Sequence, residues 1–217
     1  MLTPLAALLL AIAAPPPCES APRALAAAPR DSSFAALFNA GQPYDSFVAA
    51  ARDRRAQWVT LTETARLPAD AMQAVRGITA PLRVLIVAID GCSDSVNSLP
   101  YIARLLGHAP SVQLRVVLPT AGARVMEAYR TPDGRAATPT LIVLDAQDRV
   151  VGCWVERPAV LQQMALDARA AGTLDAYQRT KQQWYDADGG VAIATEVAAV
   201  IGGAARGTPV CSATAER

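Results

Sequence analysis

Leu82-Arg83-Val84-Leu85-Ile86-Val87-Ala88-Ile89 is a nearly continuous apolar run rich in branched side chains, and Cys92-Ser93-Asp94-Ser95 follows it after Asp90-Gly91. An unbroken run of this kind suits a central strand covered on both faces. The stretch Asp94 to Leu106 then reads as a helix with Val96, Leu99, Ile102, Leu105 and Leu106 turned inward. Cys92 therefore stands where a buried strand gives way to a helix. The unpaired N–H groups of a helix start carry partial positive charge, which favours thiolate over thiol. Only the thiolate attacks a disulfide.

Working outward, Val112 to Leu118 is a second strand, which makes a right-handed βαβ unit with the first. Thr120 to Tyr129 reads as a helix and Thr131-Pro132-Asp133-Gly134 as a turn. Thr138-Pro139-Thr140 leads into Leu141-Ile142-Val143-Leu144, and Asp145-Ala146-Gln147-Asp148 joins this strand to Arg149 to Val155 as a hairpin. Pro158 opens a helix, and two more follow near 173 to 186 and 191 to 203. Towards the N-terminus, Phe34 to Arg76 is helical in pattern, with Phe47, Ala50, Ala51 and Trp58 on one face and Pro68-Ala69-Asp70 starting a helix through Ile78. Val191 to Ala205 is apolar but short and carries Glu196, so it is expected to pack as a helix and not to span a membrane. Gly189-Gly190 and Gly202-Gly203 read as helix stops.

Three marks in order resemble the thioredoxin superfamily: Cys92 and Ser95 as C-x-x-S, Pro100 in the helix that follows, and Pro139 before a core strand. The run Thr138 to Asp145, followed by Arg149-Val150-Val151-Gly152, resembles that family's proline-strand-turn-strand-glycine pattern. Asp90, Cys92, Asp94, Ser95, Asn97 and Pro100, with Trp154, Glu156, Arg157 and Pro158, are similar to the motif of a bacterial thioredoxin-like family. Gly91 and Ser93 depart from it, standing where an aromatic residue and a glycine are expected. The resemblance implies a thioredoxin-like α/β fold with a central four- to five-stranded mixed sheet flanked by helices, plus extra N- and C-terminal helices. It also implies a cis-proline at Pro139 and a substrate groove formed by Asp94, Thr138 and Pro139.

On that footing Cys92 is the expected nucleophile, and Ser95 occupies the place of a resolving cysteine. A hydroxyl can donate to a thiolate but cannot close a disulfide, so the expected chemistry is monothiol: a mixed disulfide at Cys92, released by an outside thiol. Asp94 opposes the thiolate by like-charge repulsion. Cys153 is the candidate resolving cysteine, although two strand spacings, about 10 Å, exceed the roughly 7 Å Cα separation that a disulfide allows. The alternative is a binding or chaperone module in which Cys92 is packing. The expected partners are protein or small-molecule thiols and disulfides, without metal or organic cofactor.

Composition narrows the field further. A formal net charge of +1 on 217 residues gives no electrostatic case for nucleic acid or an anionic membrane surface. The lone His108 argues against a zinc site or a histidine-based hydrolase. Leu5 to Ala14 is a short apolar run followed by prolines, with small-residue sites at Ala11-Ile12-Ala13 and Ala24-Leu25-Ala26. It reads as a signal peptide, which places the chain in the periplasm or outside the cell. The expected organisation is leader and linker over 1–26, the domain with its helical extensions over 34–205, and a tail over 206–217. Cys18, Cys92, Cys153 and Cys211 allow three pairings, and the sequence does not choose among them.

Overall fold

The computed structural model describes residues 34–211; the leader reading, Cys18 and the last residues of the tail lie outside the described residues. Strand β1 (Leu82–Val87) runs parallel to β2 (Val112–Val117), and α5 (Ser93–Leu106) is the crossover between them. On its other side β1 pairs antiparallel with β3 (Thr140–Leu144), which pairs antiparallel with β4 (Val150–Val155). A short β5 (Val210–Cys211) adds parallel to β4, giving the order β2-β1-β3-β4-β5. This is the mixed, helix-flanked α/β sheet expected of the thioredoxin-like fold.

The pleat explains the apolar runs. Val84, Ile86, Leu141, Val143 and Trp154 face a large cluster with α3 (Arg55–Thr64), α5 and α9 (Val191–Ala205). Their neighbours Leu85, Val87, Ile142, Leu144 and Val155 face a smaller one with α1 (Phe34–Ala40) and α6 (Pro119–Ala128). Alternate residues thus enter different cores, and no position of β3 can be polar-out. Each fully buried Leu or Ile side chain contributes about 1.5–3 kcal/mol.

The N-terminal helical region is broken more often than its pattern suggests. Phe34–Ala40 is followed by α2 (Tyr44–Ala50), α3 and α4 (Ala69–Arg76), with Arg54 left-handed at φ 51° just before α3. Because the chain turns there, Ala50 is exposed, while Phe47 and Trp58 meet edge-on with ring centroids 5.3 Å apart. After β4 come α7 (Ala159–Ala170), α8 (Leu174–Asp188) and α9.

Two expectations for the C-terminus are corrected. Gly189 and Gly190 do separate α8 from α9, but Gly202 and Gly203 lie inside α9. A Cβ on Gly203 would come within 2.6 Å of the Thr208 carbonyl oxygen, so glycine is needed because the returning chain passes against the helix. That return also makes part of the tail an edge strand. Among the described residues no single helix is long and apolar enough to cross a membrane.

Candidate functional site

The end of β1 delivers the chain to Cys92, which is the N-cap of α5, with its sulfur 3.5 Å from the Ser95 N–H. The preceding turn is clamped. The Asp90 carboxylate accepts the backbone N–H groups of Arg52 (2.7 Å) and Asp53 (3.1 Å). The Trp58 indole donates to the Asp90 carbonyl (3.0 Å), and Arg54 Nε donates to the Gly91 carbonyl (2.9 Å). Gly91 is close-packed as well, since a Cβ there would lie 3.2 Å from the Asp53 carboxylate. Helix α3 therefore brings an indole to the turn in which Gly91 stands instead of an aromatic residue.

The Thr138–Pro139 peptide bond is cis. The Thr138 carbonyl oxygen lies 3.3 Å from Cys92 Sγ, within reach of the proton that this sulfur carries once it is reduced to a thiol. Cys92 itself is 1% exposed. The hydroxyls of Ser95 and Thr138 are buried and have no hydrogen-bond partner among the described residues. Cys92, Ser95, Thr138 and Pro139 are thus brought to one place at the carboxyl end of β1.

Asp94 behaves differently from the sequence expectation of an unopposed charge next to the thiol. Its side chain is fully buried, accepts from Lys181 Nζ (2.8 Å) and the Tyr185 hydroxyl (2.8 Å), and pairs with Arg157 (3.3 Å). Burial alone would raise its pKa, but the charges of Arg157 and Lys181 and the bonds from Lys181 and Tyr185 hold it below the ordinary 3.8. The same burial, with the Asp94 charge, pushes the Tyr185 hydroxyl well above 10. Tyr177, which accepts from Arg157 and donates to the Leu161 carbonyl (3.2 Å), is pushed up to about 12 by burial. Asp94 is therefore a matched ion in a buried network and not a lone repulsive charge.

The network continues outward through Glu156, which Arg157 bonds from one side and Arg135 from the other (3.2 and 3.0 Å). Arg135 is held in turn by Asp133 (2.7 Å), to which Arg169 also pairs (3.2 Å). Asn97 bridges three elements: it donates to the Ser93 carbonyl (2.8 Å), exchanges bonds with Gln182 of α8, and accepts from Gln57 of α3 (3.2 Å).

Cys153 is not brought to this place. Its register partner is Ile142, whose own partner is Leu85, so it lies two strands away and well below the end of β1. It is bonded to Cys211 across β4 and β5, with Cα atoms 4.3 Å apart, and so has no thiol with which to resolve a mixed disulfide while that bond is intact. Cys92 is also disulfide-bonded. Among the described residues no cluster of three His, Cys, Asp or Glu side chains is placed to hold a metal ion.

Lys181 and Tyr185 were not legible as site residues, although with Tyr177 they share a spacing of four along α8 that places all three polar tips on one face. Trp58 carried an apolar-face signal only.

Residues 41–178 match the family described as Thioredoxin. Two solved structures are similar in fold. One is a protein of unknown function from Pseudomonas aeruginosa, 22% identical, covering 80% of this chain and 99% of its own, with a TM-score of 0.58. The other is an HIV epitope-scaffold, 20% identical, covering 79% of this chain and 99% of its own, with a TM-score of 0.58. No curated protein matches.

Proposed function

From the premise that this chain belongs to the thioredoxin family, we propose that it performs thiol-disulfide exchange through Cys92 by a monothiol route. The observation that carries this reading is the seat of the sulfur: at the first turn of α5, 3.5 Å from the Ser95 N–H and beside the cis Thr138–Pro139 bond. With Cys92 reduced, its thiolate attacks one sulfur of a substrate disulfide. The Cys92–substrate bond forms, the substrate S–S bond breaks, and the departing sulfur leaves as a thiolate that takes a proton from water. A second thiolate then attacks the substrate sulfur of the mixed disulfide; a new disulfide forms between these two sulfurs, the Cys92–substrate bond breaks, and Cys92 leaves as thiolate. Helix-start N–H groups stabilise the charge on sulfur in both steps, and the Ser95 hydroxyl, which has no partner among the described residues, is available to donate to it.

Cys153 and Cys211 are taken up by their own bond, so in the monothiol route the second thiol comes from another molecule. Thr138 and Pro139 are themselves buried beside the sulfur, so an extended peptide reaches Cys92 along them only when this loop opens. The Cys153–Cys211 disulfide supports an oxidising compartment, which agrees with reading the N-terminal apolar run as an export signal. The test is catalysis of insulin reduction by dithiothreitol together with trapping of a Cys92-linked substrate peptide. Trapping at Cys92 is expected; no trapping, and no loss of exchange in Cys92→Ser, rejects the mechanism.

The burial of Cys92 favours a second reading, a binding module that uses the same loop with the sulfur as packing. Alkylation of Cys92 only after denaturation would select it.

A further inference from the structure

The neighbouring residues Glu156 and Arg157 touch both segments that flank Cys92, the Thr138–Pro139 loop and the first turn of α5. On one side the Glu156 backbone N–H donates to the Pro139 carbonyl oxygen at 2.7 Å, and the Glu156 carboxylate receives both terminal nitrogens of Arg135, three residues before Thr138. On the other side the Arg157 guanidinium pairs with Asp94, two residues after Cys92. Arg157 also donates to the Tyr177 hydroxyl, lies over that ring at 5.6 Å, and bonds Glu156 itself. Glu156 adopts φ 65°, a left-handed conformation that a non-glycine residue keeps only where surrounding contacts enforce it. Strand β4 is thus stopped in a strained turn whose two side chains fan out to opposite loops.

We propose that Arg157 is a positioning residue for Cys92: its guanidinium offsets the charge of Asp94 beside the thiol and, through Glu156, holds the helix start and the Thr138–Pro139 loop in fixed register. The proposal rests on the thiol-exchange reading of Cys92. A planar, always-charged fork suits the task, because one group must satisfy two carboxylates in a buried space. The other charged groups around the sulfur do not substitute for it. From α8, Lys181 bonds the same carboxylate and Tyr185 stays neutral. From the α2–α3 turn, Arg54 is spent on the Gly91 carbonyl, and Asp90 is spent on the N–H groups of Arg52 and Asp53. Without Arg157 the buried Asp94 charge is matched by Lys181 alone and acts more strongly on the thiolate.

The experiment uses the full chain, reduced and freed of reductant. The alkylation rate of the Cys92 peptide is followed by mass spectrometry from pH 5 to 10 in wild type, Arg157→Met and Arg157→Lys, with circular dichroism on each. In Arg157→Met the midpoint of the rate profile is expected to rise by about one pH unit, so that alkylation near pH 7 slows about tenfold. Arg157→Lys, which keeps the charge but loses the fork, is expected to return the midpoint towards wild type. A folded Arg157→Met with an unmoved midpoint overturns the proposal, since a purely structural arginine would alter stability alone. Should Arg157→Met not fold, Arg157→Gln takes its place with the same expected shift and the same overturning result. If folded wild type does not alkylate at Cys92 at any pH, the thiol-exchange reading itself fails and takes this proposal with it.

Discussion

Lys181 Nζ lies 2.8 Å from Asp94 Oδ2, tying the middle of α8 to the first turn of α5 across 87 residues of sequence. Both groups are buried, and Arg157 and Tyr185 complete the shell around the carboxylate. A buried ion pair of this kind gains little over an apolar alternative, but loss of either partner leaves a charge stranded.

Asp94→Asn is accordingly expected to cost about 3–5 kcal/mol at neutral pH, because Lys181 is left without its charged partner and Arg157 keeps only Glu156. The pH dependence has a definite sign. The Asp94 pKa is lower in the folded chain than the ordinary 3.8, so its contribution is complete above that value and is lost as pH falls through the folded value. Urea midpoints between pH 2 and 7 should show the wild type losing stability on the acid side and Asp94→Asn showing a shallower slope there. Parallel slopes would mean that Asp94 is not the coupled group.

The Cys153–Cys211 bond closes a segment of 58 residues that contains α7, α8 and α9. In the chain-entropy account a loop of this size contributes about 4 kcal/mol. Cys211→Ser is expected to lose most of this, read as a lower urea midpoint. Reduced wild type should show at least this loss, since reduction also releases Cys92. Peptide mapping without reductant should recover a Cys153–Cys211 linked pair, and finding Cys153 linked to Cys92 instead would contradict the register of β4.

The tail can also be tested without touching a cysteine. Gly203→Ala places a methyl 2.6 Å from the Thr208 carbonyl oxygen and 2.9 Å from Val210 Cγ2. The backbone there has to shift, at an expected cost of about 1–3 kcal/mol. Because β5 is displaced, dithiothreitol should reduce the Cys153–Cys211 bond faster than in wild type. An unchanged reduction rate would show that the tail does not depend on this close approach.

How much of this was legible in sequence follows from which forces are local. The runs 82–89 and 141–144 are apolar because both sheet faces are covered, and that pattern survives in one dimension. The N-cap position of Cys92 was legible for the same reason, from a strand ending just before a helical period. Asp94 was visible only as a charge. Its partners Arg157 and Lys181 stand 63 and 87 residues away in the chain, and nothing in its own neighbourhood shows that they neutralise it. Strand β5 is two residues set among Gly, Thr and Pro; it exists because of a disulfide and a glycine in α9, neither of which leaves a periodic signal. Ala50 shows the opposite failure, since one helical period was carried across a turn at Arg54.

Ser95 offers the most direct test of the monothiol chemistry. Its N–H reaches the Cys92 sulfur, and its hydroxyl is buried in the first turn of α5 without a partner among the described residues. Ser95→Cys replaces a group that cannot bond covalently to sulfur with one that can, at nearly the same volume. Two cysteines separated by two residues at a helix start can close a disulfide, so the second thiolate attacks the Cys92 mixed disulfide within the same molecule. Wild type is expected to catalyse insulin reduction by dithiothreitol weakly, and Ser95→Cys to exceed it about tenfold or more, since an intramolecular thiol replaces one that must be met by collision. Ser95→Ala should move in the other direction, slowing Cys92 alkylation near neutral pH by removing a donor to the thiolate. Turbidity assays on the three proteins, each checked by circular dichroism, decide the matter. Strong catalysis by wild type that Ser95→Cys does not improve would place the resolving thiol elsewhere and end the monothiol account.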